Sequence, residues 1–338
     1  MTDTTGTLDE ALERLHDSGP ERHGWLSNHA PMAVEALVRH GQAATVHRWL
    51  DRYADKLEEP PPPYAPVTAD GWREALGDPA RSTDWTRFFA RELAERPWRA
   101  VLAAWWPRLL PGIAAGATHP VIRTGHAVRT LLASPEGATA PRLAELAHAL
   151  GYWAARHQPL PPLTALAVAP TAAAALDAVP PVPDQDGGIR HRLAQLTAFP
   201  VWGGARDPEA ARALLTELVA AATHRYATHG YGEPVMLVHA ATAPNAVLRV
   251  LPALPRALWA PSLSAAWAAS AAVTAAYTPV EPAPYEATPL TPEEVFARAA
   301  AHGDDHTIKF TDTALDVGGP LALAAAVRSV ELNAPAFP

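Results

Sequence analysis

Thirty-six prolines are scattered through 338 residues, and they limit the length of every regular element this chain can form. A proline has no backbone N–H, and its ring clashes with the carbonyl one helical turn back, so helix interiors rarely tolerate it. The prolines gather in PPPPY at 60–64, PLPPL at 159–163, VPPVP at 179–183 and TPVEPAPYEATPLTP at 278–292, the longest candidate linker. Between them apolar residues recur at three-to-five-residue steps: Leu8, Leu12 and Leu15; Phe88 and Leu93; Leu143, Leu146 and Leu150. That spacing gives each helix one apolar face. Strand-like alternation is hard to find, and alanine, the best helix former, dominates the second half. The expectation is an all-α fold: one continuous domain over residues 1–338, a bundle of a dozen or more short helices with Pro-rich connections.

Several function classes lack support. A net charge of -8 leaves no basic footprint for nucleic acid or for an anionic membrane surface. With no cysteine there are no disulfides, thiolate metal sites or cysteine nucleophiles. The apolar run from Ala257 to Ala276 is mostly alanine with Pro261 and several serines, and it reads as a buried helix rather than a membrane span. The acidic, polar opening MTDTTGTLDEALERL is unlike a signal peptide, so a cytoplasmic protein is expected. No GxGxxG, GxxxxGK[ST] or GxSxG motif is present, which removes the usual nucleotide sites and the nucleophile elbow.

The chemistry must then come from fifteen histidines. His16, His40, His47, His148 and His157 fall on polar faces or near helix ends, where a solvated side chain is the default reading. His224 and His229 close an exposed-looking helix, and His23 and His302 sit in loop-like context. Four others differ. His29 follows Ser27 and Asn28, a good N-cap pair, and precedes an apolar run. His119 stands at a helix start, with Thr118 as the expected cap and Pro120 in the first turn. His239 is surrounded by Met, Leu, Val and Ala, and His306 follows Asp304 and Asp305. Taken singly, each is more often a satisfied core histidine than a metal ligand.

Lys309 changes that balance. It is one of only two lysines, the other being Lys56, in a chain that otherwise takes its positive charge from arginine. Spaced three residues after His306, it shares a helix face with it. One reading is an ion pair with Asp305 or Asp312. The other needs a lysine that loses its charge, as an amine base or Schiff-base former, or as a carbamate formed with carbon dioxide. A carbamate presents two oxygens like a long glutamate, which arginine cannot do.

The motifs LSNHAPMAVEAL, GWREALGD, GATHPVIRTGHAV, VHAATAP and DDHTIK occur here in the order found in bacterial questin oxidase-like proteins, and the chain resembles that family over about residues 20–330. The family is named for fungal enzymes that oxidatively open an anthraquinone ring during polyketide biosynthesis. The resemblance implies a mostly helical enzyme with a non-haem Fe(II) centre built on histidines and a modified lysine. By motif, the implied ligands are His29, His119, His239, His306 and Lys309, the last carbamylated, with His306 and Lys309 as catalytic residues. Where fungal members carry further histidines, this chain has Met32, Ala33 and Val34, and it has Arg123 in place of a second histidine after His119. His126 lies in a different register and is not carried over.

Imidazole and carboxylate-like oxygen suit Fe(II), in keeping with the absence of thiols. Asp305 is the expected carboxylate orienting a ligand ring. An apolar pocket is expected to draw on Trp25, Trp105, Trp106 and Met236, although each of them taken alone reads more readily as core. The expected function is therefore an iron-dependent oxygenase acting with dioxygen on an aromatic polyketide-like, anthraquinone or phenolic substrate. Oxidative ring cleavage is the expected reaction and a monomer or homodimer the expected state. The alternatives are an NADPH-dependent Baeyer–Villiger-type oxygenase, which lacks a nucleotide motif here, and a non-catalytic helical binding or scaffold protein.

Overall fold

A computed structural model describes residues 4–134 and 137–336. Seventeen α-helices span the described residues, with two short two-stranded pairings as the sheet content, so the fold is all-α. The prolines do more than end helices. Pro31, Pro120, Pro141, Pro208, Pro234, Pro292 and Pro320 each stand in a first turn, where the missing N–H has no intrahelical partner to lose. The strands are a hairpin of Glu21–Arg22 with Leu26–Ser27 and a parallel pair of Thr164–Val168 with Ala198–Val201. They are too short to write an alternating pattern, and every residue of Thr164–Val168 is exposed.

The chain folds as two compact units: Met1–Gln158 with Arg249–Pro255, and Pro159–Leu248 with Arg256–Pro338. In the first unit, helices Ser82–Glu95 and Ala140–Arg156 make the most extensive pairing. Gly151 permits it, because a β-carbon there would lie 2.8 Å from the Thr86 amide nitrogen. Beside this pair Trp105 meets Trp72, Trp85, Phe88 and Phe89 edge-on, and Trp106 meets Trp153 in the same way. These two tryptophans are core residues rather than pocket lining. Trp25 is 61% exposed.

Arg123 has its own explanation in this unit. It forms a fork to Glu145, with Nε and Nη2 donating to the two carboxylate oxygens at 2.6 and 2.7 Å, and so ties helix His119–Leu132 to Ala140–Arg156. Burial alone would raise the Glu145 carboxyl, but Arg123, and His16 at 3.4 Å, hold it down at about 2. His148 is not solvated as expected: it stacks on His16, and burial together with the Arg123 charge pushes it down to about 3. Both folded values lie below the ordinary 4.5 and 6.5, so the stability they contribute is complete above pH 6.5. It is lost as pH falls through about 3 and then about 2. For Glu145 the shift corresponds to roughly 3 kcal/mol. Urea unfolding as a function of pH should show the loss beginning below pH 6 and steepening below pH 4.5. Glu145→Gln should be less stable at neutral pH, having left Arg123 buried against a neutral amide, and should respond more weakly to acid.

In the second unit, helix Pro208–His229 packs on Trp259–Tyr277, Gly319–Leu332, Ala172–Asp177 and Asp305–Val317. Trp259–Tyr277 is buried almost throughout, as its alanine content predicted. Pro244 lies inside helix His239–Val250 and cannot bond the Ala240 carbonyl. The Ser270 hydroxyl donates to that carbonyl instead, at 2.7 Å. Pro234–Ala253 is long and apolar enough to cross a membrane, and 72% of its most apolar window is buried inside the protein, as in core helices of soluble proteins.

Candidate functional site

The five ligand candidates fall into two groups, one in each unit. His29 and His119 belong to the first. His29 is itself the N-cap residue of helix Ala30–Arg39, while the Asn28 side chain accepts from the Ala30 amide at 3.0 Å. The Tyr53 hydroxyl accepts from the His29 amide at 3.1 Å. His119 opens its helix after three consecutive left-handed residues, Gly116 (φ 53), Ala117 (φ 54) and Thr118 (φ 66). The Thr118 side chain does not cap the helix as expected, because the left-handed backbone turns it away and its hydroxyl is buried without a partner. A β-branched residue in this region is strained by about 1–3 kcal/mol, a cost that tends to persist where it positions a functional group. Here it aims His119 Nδ1–H at the Gly116 carbonyl, 2.6 Å away.

That bond settles the neutral tautomer: the His119 Nδ1 carries the proton and Nε2 keeps its lone pair. The His119 and His29 Nε2 atoms lie 2.7 Å apart, with ring centroids 4.5 Å apart and planes at 88°. Both rings are buried.

His239, His306 and Lys309 belong to the second unit. His239 is fully buried and donates its Nδ1–H to the Met236 carbonyl at 2.9 Å, which leaves Nε2 unprotonated. Met236 therefore contributes through its backbone. Gly303 (φ 77) ends helix Pro292–His302, and the Asp304 side chain caps Asp305–Val317 by accepting from the Thr307 amide at 2.8 Å. This turn sets His306 in the first turn of the new helix, with Asp305 Oδ1 2.7 Å from its Nδ1. The expected carboxylate is thus beside the expected ring. Asp304, Asp305 and His306 offer donor atoms within 4.8 Å of one another.

Lys309 is the decisive residue of this group. It is 1% exposed, and its Nζ donates to the unprotonated Nε2 of His239 at 3.1 Å. Among the described residues, no ion pair joins it to Asp305 or Asp312. Burial pushes the amine down to about 7, against the opposing fields of Asp305 and Asp304. The His239 and His306 rings lie 5.4 Å apart at 76°.

A second buried cluster escaped sequence reasoning. Glu35 takes Nδ1 of His126 at 2.7 Å and Nε of Arg129 at 3.0 Å, and His126 Nε2 meets Arg249 at 3.4 Å. Burial would raise the Glu35 carboxyl, yet Arg129 and His126 hold it at about 2. The cluster joins helix Ala30–Arg39, capped by His29, to helix His119–Leu132. Its one sequence signal is that His126 lies seven residues after His119, on the same helix face.

The geometry leaves buried imidazoles with locked tautomers and a buried, easily deprotonated lysine, a donor set that fits a divalent first-row metal. No curated protein matches the chain. The questin oxidase-like match is shorter than the expected span of about 20–330 and leaves VHAATAP and DDHTIK outside it, so it contains His29 and His119 but not His239, His306 or Lys309. Residues 26–178, less than half of the chain, are similar to the questin oxidase-like family.

Proposed function

We propose that the protein is a non-haem iron-dependent oxygenase whose iron ligands are His29, His119, His239, His306 and carbamylated Lys309. The observation that carries this reading is the buried Lys309 amine hydrogen-bonded to the unprotonated Nε2 of His239. A charged ammonium is costly to bury without a carboxylate, whereas a neutral amine can add to carbon dioxide, release a proton and become an anionic ligand. Metal and carbamate then stabilise one another, since the cation offsets the buried anion.

The protein's own groups do the positioning. The Gly116 and Met236 carbonyls hold the His119 and His239 protons on Nδ1, and Asp305 faces His306 Nδ1, so the Nε2 of each ring is left to hold a metal. Bound iron would supply a place for dioxygen to react with an electron-rich aromatic. The proposed substrate is an aromatic polyketide-like compound of the anthraquinone or phenolic type, and the proposed reaction is its oxidative ring cleavage. The questin oxidase-like match supports the oxidase class.

Elemental analysis of protein purified without chelator tests the proposal. About one iron per chain is expected, with dioxygen uptake on addition of a hydroxyanthraquinone. Protein free of metal that also fails to take up added Fe(II) would overturn it in favour of a non-catalytic helical protein. Dioxygen uptake that requires NADPH and no metal would favour the Baeyer–Villiger reading.

A further inference from the structure

The hydroxyl of Tyr152, on helix Ala140–Arg156, is 2.6 Å from Ser27 Oγ and 3.0 Å from Glu21 Oε1. A carboxylate only accepts, so the phenol proton goes to Glu21 and the Ser27 hydroxyl donates to the phenol oxygen. Arg156 bonds the other Glu21 oxygen and also donates to the Gly24 carbonyl at 2.8 Å, which braces Glu21. The same phenol oxygen lies against Gly116, where a β-carbon would sit 3.2 Å from it. Gly116 is the residue whose carbonyl receives His119 Nδ1–H, and Ser27 lies two residues before His29. One buried hydroxyl therefore bonds the segment that leads into His29 and packs beside the turn that leads into His119, filling the space a side chain at Gly116 would need.

We propose that Tyr152 is the positioning residue of the His29–His119 pair, its hydroxyl bonding the segment before His29 while its ring end packs against the Gly116 turn before His119. A purely space-filling tyrosine would need neither the Ser27 donor nor the Glu21 acceptor. On its outer side Tyr152 lines a cavity of about 240 Å³ together with Glu21, Arg156, Glu58 and Ser82, a space large enough to admit water beside this hydroxyl. Loss of the hydroxyl would loosen both segments and let that water compete for the Gly116 carbonyl. The effect on metal affinity rests on the iron-centre reading, while the tie is a property of the metal-free chain.

The test uses the full-length protein stripped of metal, with ¹⁵N-labelled histidine. In Tyr152→Phe the His119 Nδ1–H should exchange with water about 10-fold faster or more, because the bond that shields it is no longer held in place. Trp85→Phe is the control: it loses a hydrogen bond to the Ala75 carbonyl elsewhere in the same unit and should leave that proton unchanged. If Tyr152→Phe does not fold, Ser27→Ala cuts the same tie from the other side and carries the same expectation. Titration with Co(II) adds a second readout, expected to be 10- to 100-fold weaker in the variant with an altered visible spectrum, the usual range for a lost partner behind a metal ligand. The proposal is overturned by an unchanged exchange rate, by an equal change in Trp85→Phe, or by unaltered Co(II) affinity. If the wild type takes up no Co(II), the iron-centre reading falls and proton exchange alone decides the role of Tyr152.

Discussion

Lys309→Arg should contain no iron and turn over no substrate, although it conserves formal charge. A guanidinium stays protonated at any useful pH and cannot form a carbamate, so it can neither act as a ligand nor sit comfortably against an unprotonated imidazole nitrogen. The wild-type amine can do both, since burial pushes it down to about 7 and makes the neutral form abundant at physiological pH. The substitution also places a permanent charge at a position 1% exposed, which should lower stability by a few kcal/mol. Lys309→Glu, with a shorter carboxylate, should retain weak metal binding. A plain ion pair between Lys309 and Asp305 or Asp312 would predict the opposite, with arginine tolerated and activity close to wild type. Iron content and dioxygen uptake of the arginine variant, with circular dichroism to confirm folding, decide between them.

His239→Ala should likewise abolish iron binding while leaving helical content nearly intact. The ring is fully buried, so its removal leaves a cavity and takes from Lys309 its hydrogen-bond acceptor. Truncations of this size commonly cost about 2–5 kcal/mol. The diagnostic result is that metal disappears while the far-UV spectrum does not. A variant that keeps its iron and only melts earlier would make His239 a packing residue and remove it from the ligand set.

Features that depend on immediate chain neighbours were legible in the sequence. Helical period and proline punctuation indicated an all-α chain because both are local properties of the backbone. His29 and His119 were expected at helix starts and stand there. Expectations failed where distant contacts overrode local ones. Thr118 looked like a cap, but the turn that aims His119 at Gly116 holds its backbone left-handed and removes its side chain from the helix end. His148 looked solvated along its own helix and is half-buried, stacked on His16 more than a hundred residues earlier. Trp105 was a plausible pocket wall, but in the folded chain four other aromatic rings close around it.

The sequence by itself determined which side chains could carry chemistry: a lysine kept in an arginine-rich chain, a few histidines in unusual settings, and no thiol to compete with them. Only the tertiary structure decided the state in which those groups stand. Whether Lys309 is paired with an aspartate or set against His239 depends on a neighbour 70 residues away. Whether Ser27 meets Tyr152 depends on one 125 residues away. Tautomer, protonation and burial are set by whatever fills the few ångströms around a polar atom, and the chain must fold before those neighbours exist.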